Sequence, residues 1–314
     1  MRFARKLASA LGILVIIAVA GLVVAFGFLQ SPPGKRMLAS VASSLASGGG
    51  LTVSIEDISG FVPSNLRIGR IAIADPQGQF AEIDGLAVSW SPLALLSGTV
   101  NVEALTADRV AIDRRPVLPA SPEAAPSSGG GGIPAIRVLL GKLDIASIEV
   151  GEAVAGMAAT LRLTGSAQLV DPTQGLSLAF ALDRLDAPGE IRGRARYQPA
   201  GGQDIVDLDI TASEPEGGLV ARLANLEGLP ALSLTVKGSA PLDDWNGTLA
   251  LDAGTAGRID GTGAVRRVDG GRRVMLDLKG QVGGMVPGTI RPLFAGETTL
   301  MTSAVAGDGG LVTI

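Results

Sequence analysis

The sequence holds no cysteine and no histidine, and aromatic residues make up only 3% of its 314 positions. Each absence excludes a chemistry. Without cysteine there is no disulfide framework, thiol nucleophile or thiolate metal site, so a folded body has to rest on chain length and backbone pairing. Without histidine the chain lacks the commonest general base, the His-dependent triads and the zinc motifs built on H-E-x-x-H. Few rings means little base stacking, and a formal net charge of −4 with a pI near 5.0 gives no basic footprint for a phosphate backbone. No nucleic-acid partner, cofactor, metal or catalytic residue is expected, and the chain reads as a non-enzyme. Neither a phosphate-binding P-loop nor a G-x-S-x-G elbow occurs.

Aliphatic residues and glycine are plentiful. Leu7 to Leu29 form a charge-free apolar run preceded by Arg2, Arg5 and Lys6. About 20 apolar residues suffice for a helix to cross a bilayer, and basic residues before it hold that end in the cytoplasm. The competing reading is a cleaved signal peptide, whose apolar region is usually about 7 to 15 residues and closes on a small-x-small site. This run is longer and ends in the bulky Phe26-Gly27-Phe28-Leu29, so retention as an anchor is expected for residues 1–30, with everything after Gln30 exported. Pro32-Pro33-Gly34 then breaks the helix, and Met37, Leu38, Val41 and Leu45 fall near one face of a short amphipathic helix. Such a helix either lies on the membrane surface or caps the first strands, and capping is the plainer reading.

From Leu51 the hydrophobic period becomes two. Val53 and Ile55 alternate with Ser54 and Glu56, then Leu66 and Ile68 with Arg67 and Gly69, and at Arg70 the phase slips, which predicts a bulge or bend near Gly69. Asp75-Pro76-Gln77-Gly78 has turn chemistry. Residues 31–115 are read as the amphipathic helix and a first β-rich segment. Residues 116–135, rich in Pro, Ser and Gly, are read as a disordered linker. Residues 136–314 carry further short alternating segments, among them Leu176, Leu178, Phe180 and Leu182, and Val206, Leu208 and Ile210, and end in what reads as an unfinished strand of a longer chain. The expected fold is all-β, an elongated antiparallel, solenoid-like groove.

Three motifs invite a site. Gly261-Thr262-Gly263 begins like a dinucleotide loop but lacks the third glycine and a following helix, so a hairpin turn is expected. Asp207 and Asp209 share one strand face, as do Arg192, Arg194 and Arg196; calcium for the first pair and anionic lipid or an acidic partner for the arginines are the sharper readings, and a solvated face is the better account of both. What remains is the aliphatic face. Either it closes into an ordinary core, or it stays open as a groove for acyl chains, each buried CH₂ contributing about 0.8 kcal/mol. Periodicity does not choose. The groove candidates are Val53, Ile55, Leu66, Ile68, Leu178, Phe180, Leu208 and Ile210.

The ordered series Ile58-Ser59-Gly60, Leu66-Arg67-Ile68, Ile71-Ala72-Ile73-Ala74-Asp75-Pro76-Gln77-Gly78, Val88-Ser89-Trp90-Ser91-Pro92-Leu93, Leu95-Leu96-Ser97-Gly98 and Val110-Ala111-Ile112-Asp113-Arg114-Arg115-Pro116, followed by the Pro-rich stretch, resembles the N-terminal portion of TamB proteins. Pro287-Gly288, Pro292-Leu293 and Ala295-Gly296-Glu297 are similar to a later part of the same region. TamB is the inner-membrane subunit of the translocation and assembly module, related to AsmA-like bridge proteins. The resemblance implies a single-pass inner-membrane protein with a periplasmic, taco-shaped β-structure that moves phospholipids toward the outer membrane and supports outer-membrane protein assembly. An outer-membrane partner of TamA type would be met through a C-terminal region beyond Ile314. Two other readings compete: an assembly chaperone that pairs nascent outer-membrane strands with its own sheet edge, and a secreted β-helical polysaccharide-active protein with paired carboxylates.

Overall fold

The computed structural model describes residues 27, 29–48, 50–117, 137–171, 175–200, 203–286, 288–307 and 312–313. The Leu7 to Leu29 run and most of the Pro-rich stretch fall outside them. Among the described residues no helix is long and apolar enough to cross a membrane.

The chain is mostly β and forms one 16-stranded sheet. It starts with helix α1 (Pro32–Ala46), whose N-cap Ser31 accepts a hydrogen bond from Gly34 N. Strands β1 (Thr52–Phe61), β2 (Asn65–Asp75) and β3 (Gly78–Trp90) follow as antiparallel neighbours. A short 3₁₀ turn, Pro92–Ser97, leads to β4 (Thr99–Ala107) and β5 (Arg109–Ile112). These two occupy one lane, because β3 pairs with both and Asp108 alone separates them. The lane runs parallel to β6 (Arg137–Val150), with Thr99 opposite Arg137 and Val110 opposite Ile148. A parallel pair cannot be joined by a tight hairpin. The two β-rich segments on either side of the linker are therefore parts of one sheet.

Beyond β6 every step is antiparallel. Strands β7 (Ala159–Asp171), β8 (Gly175–Arg184), β9 (Glu190–Ala200) and β10 (Gln203–Glu214) are followed by β11 (Leu232–Pro241), β12 (Asp244–Asp252), β13 (Arg258–Val268), β14 (Gly271–Gln281), β15 (Thr298–Gly307) and β16 (Val312–Thr313). Helix α2 (Glu152–Ala155) joins β6 to β7, and α3 (Leu219–Leu223) lies between β10 and β11. Glu214 caps α3 by accepting from Val220 N and Ala221 N, an anion at a helix start.

The phase slip at Gly69 is a kink that crosses several strands. Glu56 pairs with Arg70 and Ile58 with Ile68, leaving Asp57 opposite Gly69. Asp57 has φ +57, and in β3 Gly85 has φ +63. A Cβ at Gly85 would come within 2.0 Å of the Asp108 carboxylate, so a side chain there collides with the bulge that divides β4 from β5.

Among the described residues no second layer covers this sheet apart from the short α3. Among the described residues no large side chain is fully buried, and the buried apolar residues are alanines apart from Val62 and Phe80. Strand neighbours shield one another sideways instead, and cross-strand pairs become the unit of stabilisation. The ordinary closed core, one of the two readings of the aliphatic face, is not what forms.

Candidate functional site

Residues paired across neighbouring strands point to the same face, so the register can be followed from strand to strand. One row runs Gly60, Leu66, Val88, Leu105, Leu143, Gly165, Phe180, Gly193, Ile210, Val236, Leu249, Gly261, Leu278, Leu300. It contains no polar side chain from β1 to β15. Adjacent rows place Ile68 beside Leu86, Val53 beside Ile73 and Ile55 beside Ile71. Another links Leu178 through Ala195 to Leu208. Leu66, Ile68, Leu178, Phe180, Leu208 and Ile210 are thereby joined on one face of one sheet, while Val53 and Ile55 lie beyond the Asp57–Gly69 kink, paired with Ile73 and Ile71. Leu178, in the interior of β8, keeps 42% of its surface exposed, which only an uncovered face allows.

The opposite face, one residue out of phase, is polar. Its row runs Arg67, Ala87, Thr106, Asp144, Thr164, Ala181, Arg192, Thr211, Thr235, Ala250, Asp260, Lys279. Ion pairs tie it together across strands. Arg70 meets Glu82 at 3.2 Å, and Arg109 meets Asp84 at 3.1 Å and Glu149 at 2.8 Å, joining β2, β3, β5 and β6. Asp144 sits between Lys142 at 3.1 Å and Arg162 at 3.2 Å; the Lys142 contact, with Arg162, holds its carboxyl below the ordinary range against the cost of desolvation. Asp207 and Asp209 lie opposite Arg196 and Arg194. The two charge stripes seen separately in the sequence are thus register neighbours on one face, and among the described residues no group of three or more potential metal-binding side chains forms.

Glycine and aromatic rings complete the apolar face. Trp245 on β12 reaches over Gly238 of β11 and donates its indole N–H to Val206 O on β10 at 3.0 Å. A Cβ at Gly238 or Gly247 would fall 2.2 or 2.3 Å from that ring. The glycines are thus absences that the tryptophan fills, and Gly261 and Gly263 lie within β13 on the same face. The hairpin expected there is corrected: the tight turn comes later, at Asp269 and Gly270. Trp245 itself was missed as a site residue, although its offset of two from Gly247 was a readable signal.

The apolar face also carries an aliphatic cavity of about 260 Å³ under α3. Leu161 of β7, Leu182 of β8, Ile191 of β9, Ile210 of β10, Leu234 of β11 and Leu251 of β12 all border it, with Leu219 and Val220 above. In a flat sheet β7 and β12 would stand about 24 Å apart. For both to border so small a space, this end of the sheet curls with its apolar face inward. A larger hollow of about 730 Å³ is bordered by Arg194, Arg196, Asp207, Asp209 and Lys237 and also by Leu178, Ala195 and Leu208, so charged groups share its lining. The aliphatic cavity is the better candidate for an apolar ligand.

Two segments of the resemblance series meet at a third point. Asp75, whose side chain is fully buried, accepts from Arg114 at 2.6 and 2.7 Å and from Gln77 N and Val117 N. Arg114 also donates to Gly78 O and lies over the Phe80 ring. The Arg114 guanidinium beside Asp75 holds that carboxyl far below the usual range. This is a clasp between the β2–β3 turn and the residues that leave β5. Its role is structural, since every oxygen is satisfied.

Compared with protein-family models, curated proteins and solved structures, the chain matches none.

Proposed function

We propose that this chain is a non-enzymatic, inner-membrane-anchored conduit of TamB type, in which phospholipid acyl chains move along the apolar face of a long curled sheet while head groups stay in water. The observation that carries this reading is the unbroken apolar row from β1 to β15 on a face that, among the described residues, no second layer beyond the short α3 covers. Hydrocarbon is the complement such a face lacks, at about 0.8 kcal/mol for each CH₂ removed from water. Fourteen spacings separate the fifteen lanes, which at about 4.8 Å each gives a path on the order of 65 Å along the stacking direction. Movement across rows needs no catalytic group, consistent with a chain without histidine or cysteine.

The rival reading, strand addition to an edge, is disfavoured at β1. That strand pairs only with β2, and α1 already occupies its outer side. Ser47 Oγ and Ser43 Oγ accept from Val53 N and Ile55 N, both at 2.9 Å, and Lys35 Nζ donates to Gly60 O at 2.6 Å.

Photo-crosslinking side chains at Leu178 and Leu208, compared with the same groups at Asp207 and Asp209, test the proposal in cells. Phospholipid captured at the first pair only supports it. Capture of outer-membrane precursors without lipid, or lipid labelling confined to the aspartates, contradicts it.

A further inference from the structure

Helix α1 is turned the opposite way from an ordinary surface helix. Its inner side, with Lys35, Ala39, Ala42 and Ser43, lies against the edge of β1 and supplies the hydrogen bonds to that strand's outer N–H and C=O groups. Leu38 is half-buried there as well. The bulky apolar residues Met37, Val41 and Leu45 instead follow one another at i, i+4 and i+8 on the outside, exposed by 59, 45 and 81%. In water an amphipathic helix hides that stripe. Here the strand edge takes the small and polar side, and the stripe is left without a partner among the described residues.

We infer that α1 lies flat on a lipid bilayer through Met37, Val41 and Leu45, so that the sheet meets the membrane edge-on at β1. The occupant is indicated by the chain that precedes the helix. Leu7 to Leu29 end one residue before Gln30, and the Gln30 side chain both donates to Val62 O at 2.5 Å and accepts from Val62 N at 3.1 Å. The exit of the apolar run is thereby fixed to the β1–β2 turn at one end of α1, which leaves the helix no distance to travel from the bilayer surface. Charge agrees: Lys35 and Arg36 are the charged residues between the apolar run and Glu56, where the first acid appears. A basic helix with an apolar stripe settles about 5–10 Å into the headgroup boundary and favours anionic lipid.

This arrangement rests on the anchoring of the Leu7 to Leu29 run, and the experiment separates the two. The absence of native cysteine makes single substitutions clean. Leu45→Cys and Leu293→Cys, the latter in the β14–β15 connection and also 81% exposed, each carry a nitroxide in the full chain reconstituted in vesicles containing anionic phospholipid. Power-saturation measurements then compare access of oxygen, which concentrates in hydrocarbon, with access of a water-soluble nickel chelate. A several-fold higher oxygen-to-nickel ratio is expected at 45 than at 293. Equal ratios in a chain that remains in the vesicle fraction overturn the placement of the helix and leave the anchor standing. A chain recovered in the soluble fraction, with equal ratios when vesicles are added back, overturns both. Spin–spin broadening at 45 that vanishes on dilution with unlabelled chain assigns the stripe to a second copy, and overturns the inference as well.

Discussion

The two faces of the sheet are built from the same strands and differ by one residue of phase. On one, most partners are aliphatic, aromatic or glycine, with Arg184 at the β7–β8 end an exception; on the other, arginines, lysines and carboxylates alternate with threonine and alanine. Among the described residues neither face is covered by a second layer beyond the short α3, yet only one has a composition that water solvates well. The difference shows where the unfulfilled free energy of the fold resides. The polar face is complete in itself, whereas the apolar face lacks a complement, which the proposed function assigns to hydrocarbon.

The largest effect is expected when that contrast is broken in the middle of the row. Leu208→Arg places a charge between Ala195 and Gly238, its partners on β9 and β11. Transfer of labelled phospholipid from donor to acceptor vesicles should fall by tenfold or more, since a tenfold change needs only about 1.4 kcal/mol and an unpaired charge in an apolar setting costs more. Asp209→Leu, next to it on the other face, should leave transfer within about twofold. Equal losses from both would remove the distinction between the faces.

Trp245→Ala strips the cover from Gly238 and Gly247 and leaves Val206 O without its indole donor. Full burial would put the loss at about 3–5 kcal/mol; Trp245 is only half-buried, so about 2 kcal/mol is expected, read as a lower urea midpoint with an unchanged slope. Gly238→Val should be at least as harmful, because its side chain occupies the space of the ring.

Acid tests the ionic contacts. Arg184 holds Asp186 down to about 2, from an ordinary 3.8, and Asp75 is lowered further by Arg114. Folded values below the unfolded ones mean that both carboxylates contribute in full above about pH 5 and that the contribution drains away as pH falls through about 4 toward 2. Urea midpoints should therefore fall across that window, and Asp75→Asn should lower the midpoint at neutral pH while flattening the profile. A midpoint that rises on acidification would contradict this assignment.

The smallest effect belongs to the exposed pairs. Arg70→Ala should cost no more than about 0.2–1 kcal/mol and less at high salt. A cost well above that would mean that the polar face is held together more tightly than its exposure implies.

Much of this was legible in the sequence. Alternation places Val53, Ile55, Leu66, Ile68, Leu178, Phe180, Leu208 and Ile210 on strands, and the slip at Arg70 marks the Asp57–Gly69 kink. Which strands would be neighbours was not legible. Period-two patterning fixes the face a residue takes relative to its own strand, but the joining of all those faces into one depends on registers set by the turns. The parallel step between β4 and β6 was hidden for the same reason, because nothing local announces it. Gly261 and Gly263 misled because glycine in a strand and glycine in a turn look alike until the side chains over them, Leu278 and Trp245, are placed. Asp75 and Arg114, 39 positions apart in the chain, carry no local pattern that pairs them.

Adjacent positions on β8 give the most direct test of the central claim that the apolar face is open and holds hydrocarbon. Leu178→Cys and Ala179→Cys point to opposite faces, with partners Ala195 and Arg194 on β9. With an environment-sensitive fluorophore on each and the chain loaded with phospholipid brominated along its acyl chains, strong quenching is expected at 178 and little at 179. Equal quenching at the two positions, or none at 178 when lipid is bound, would contradict the account.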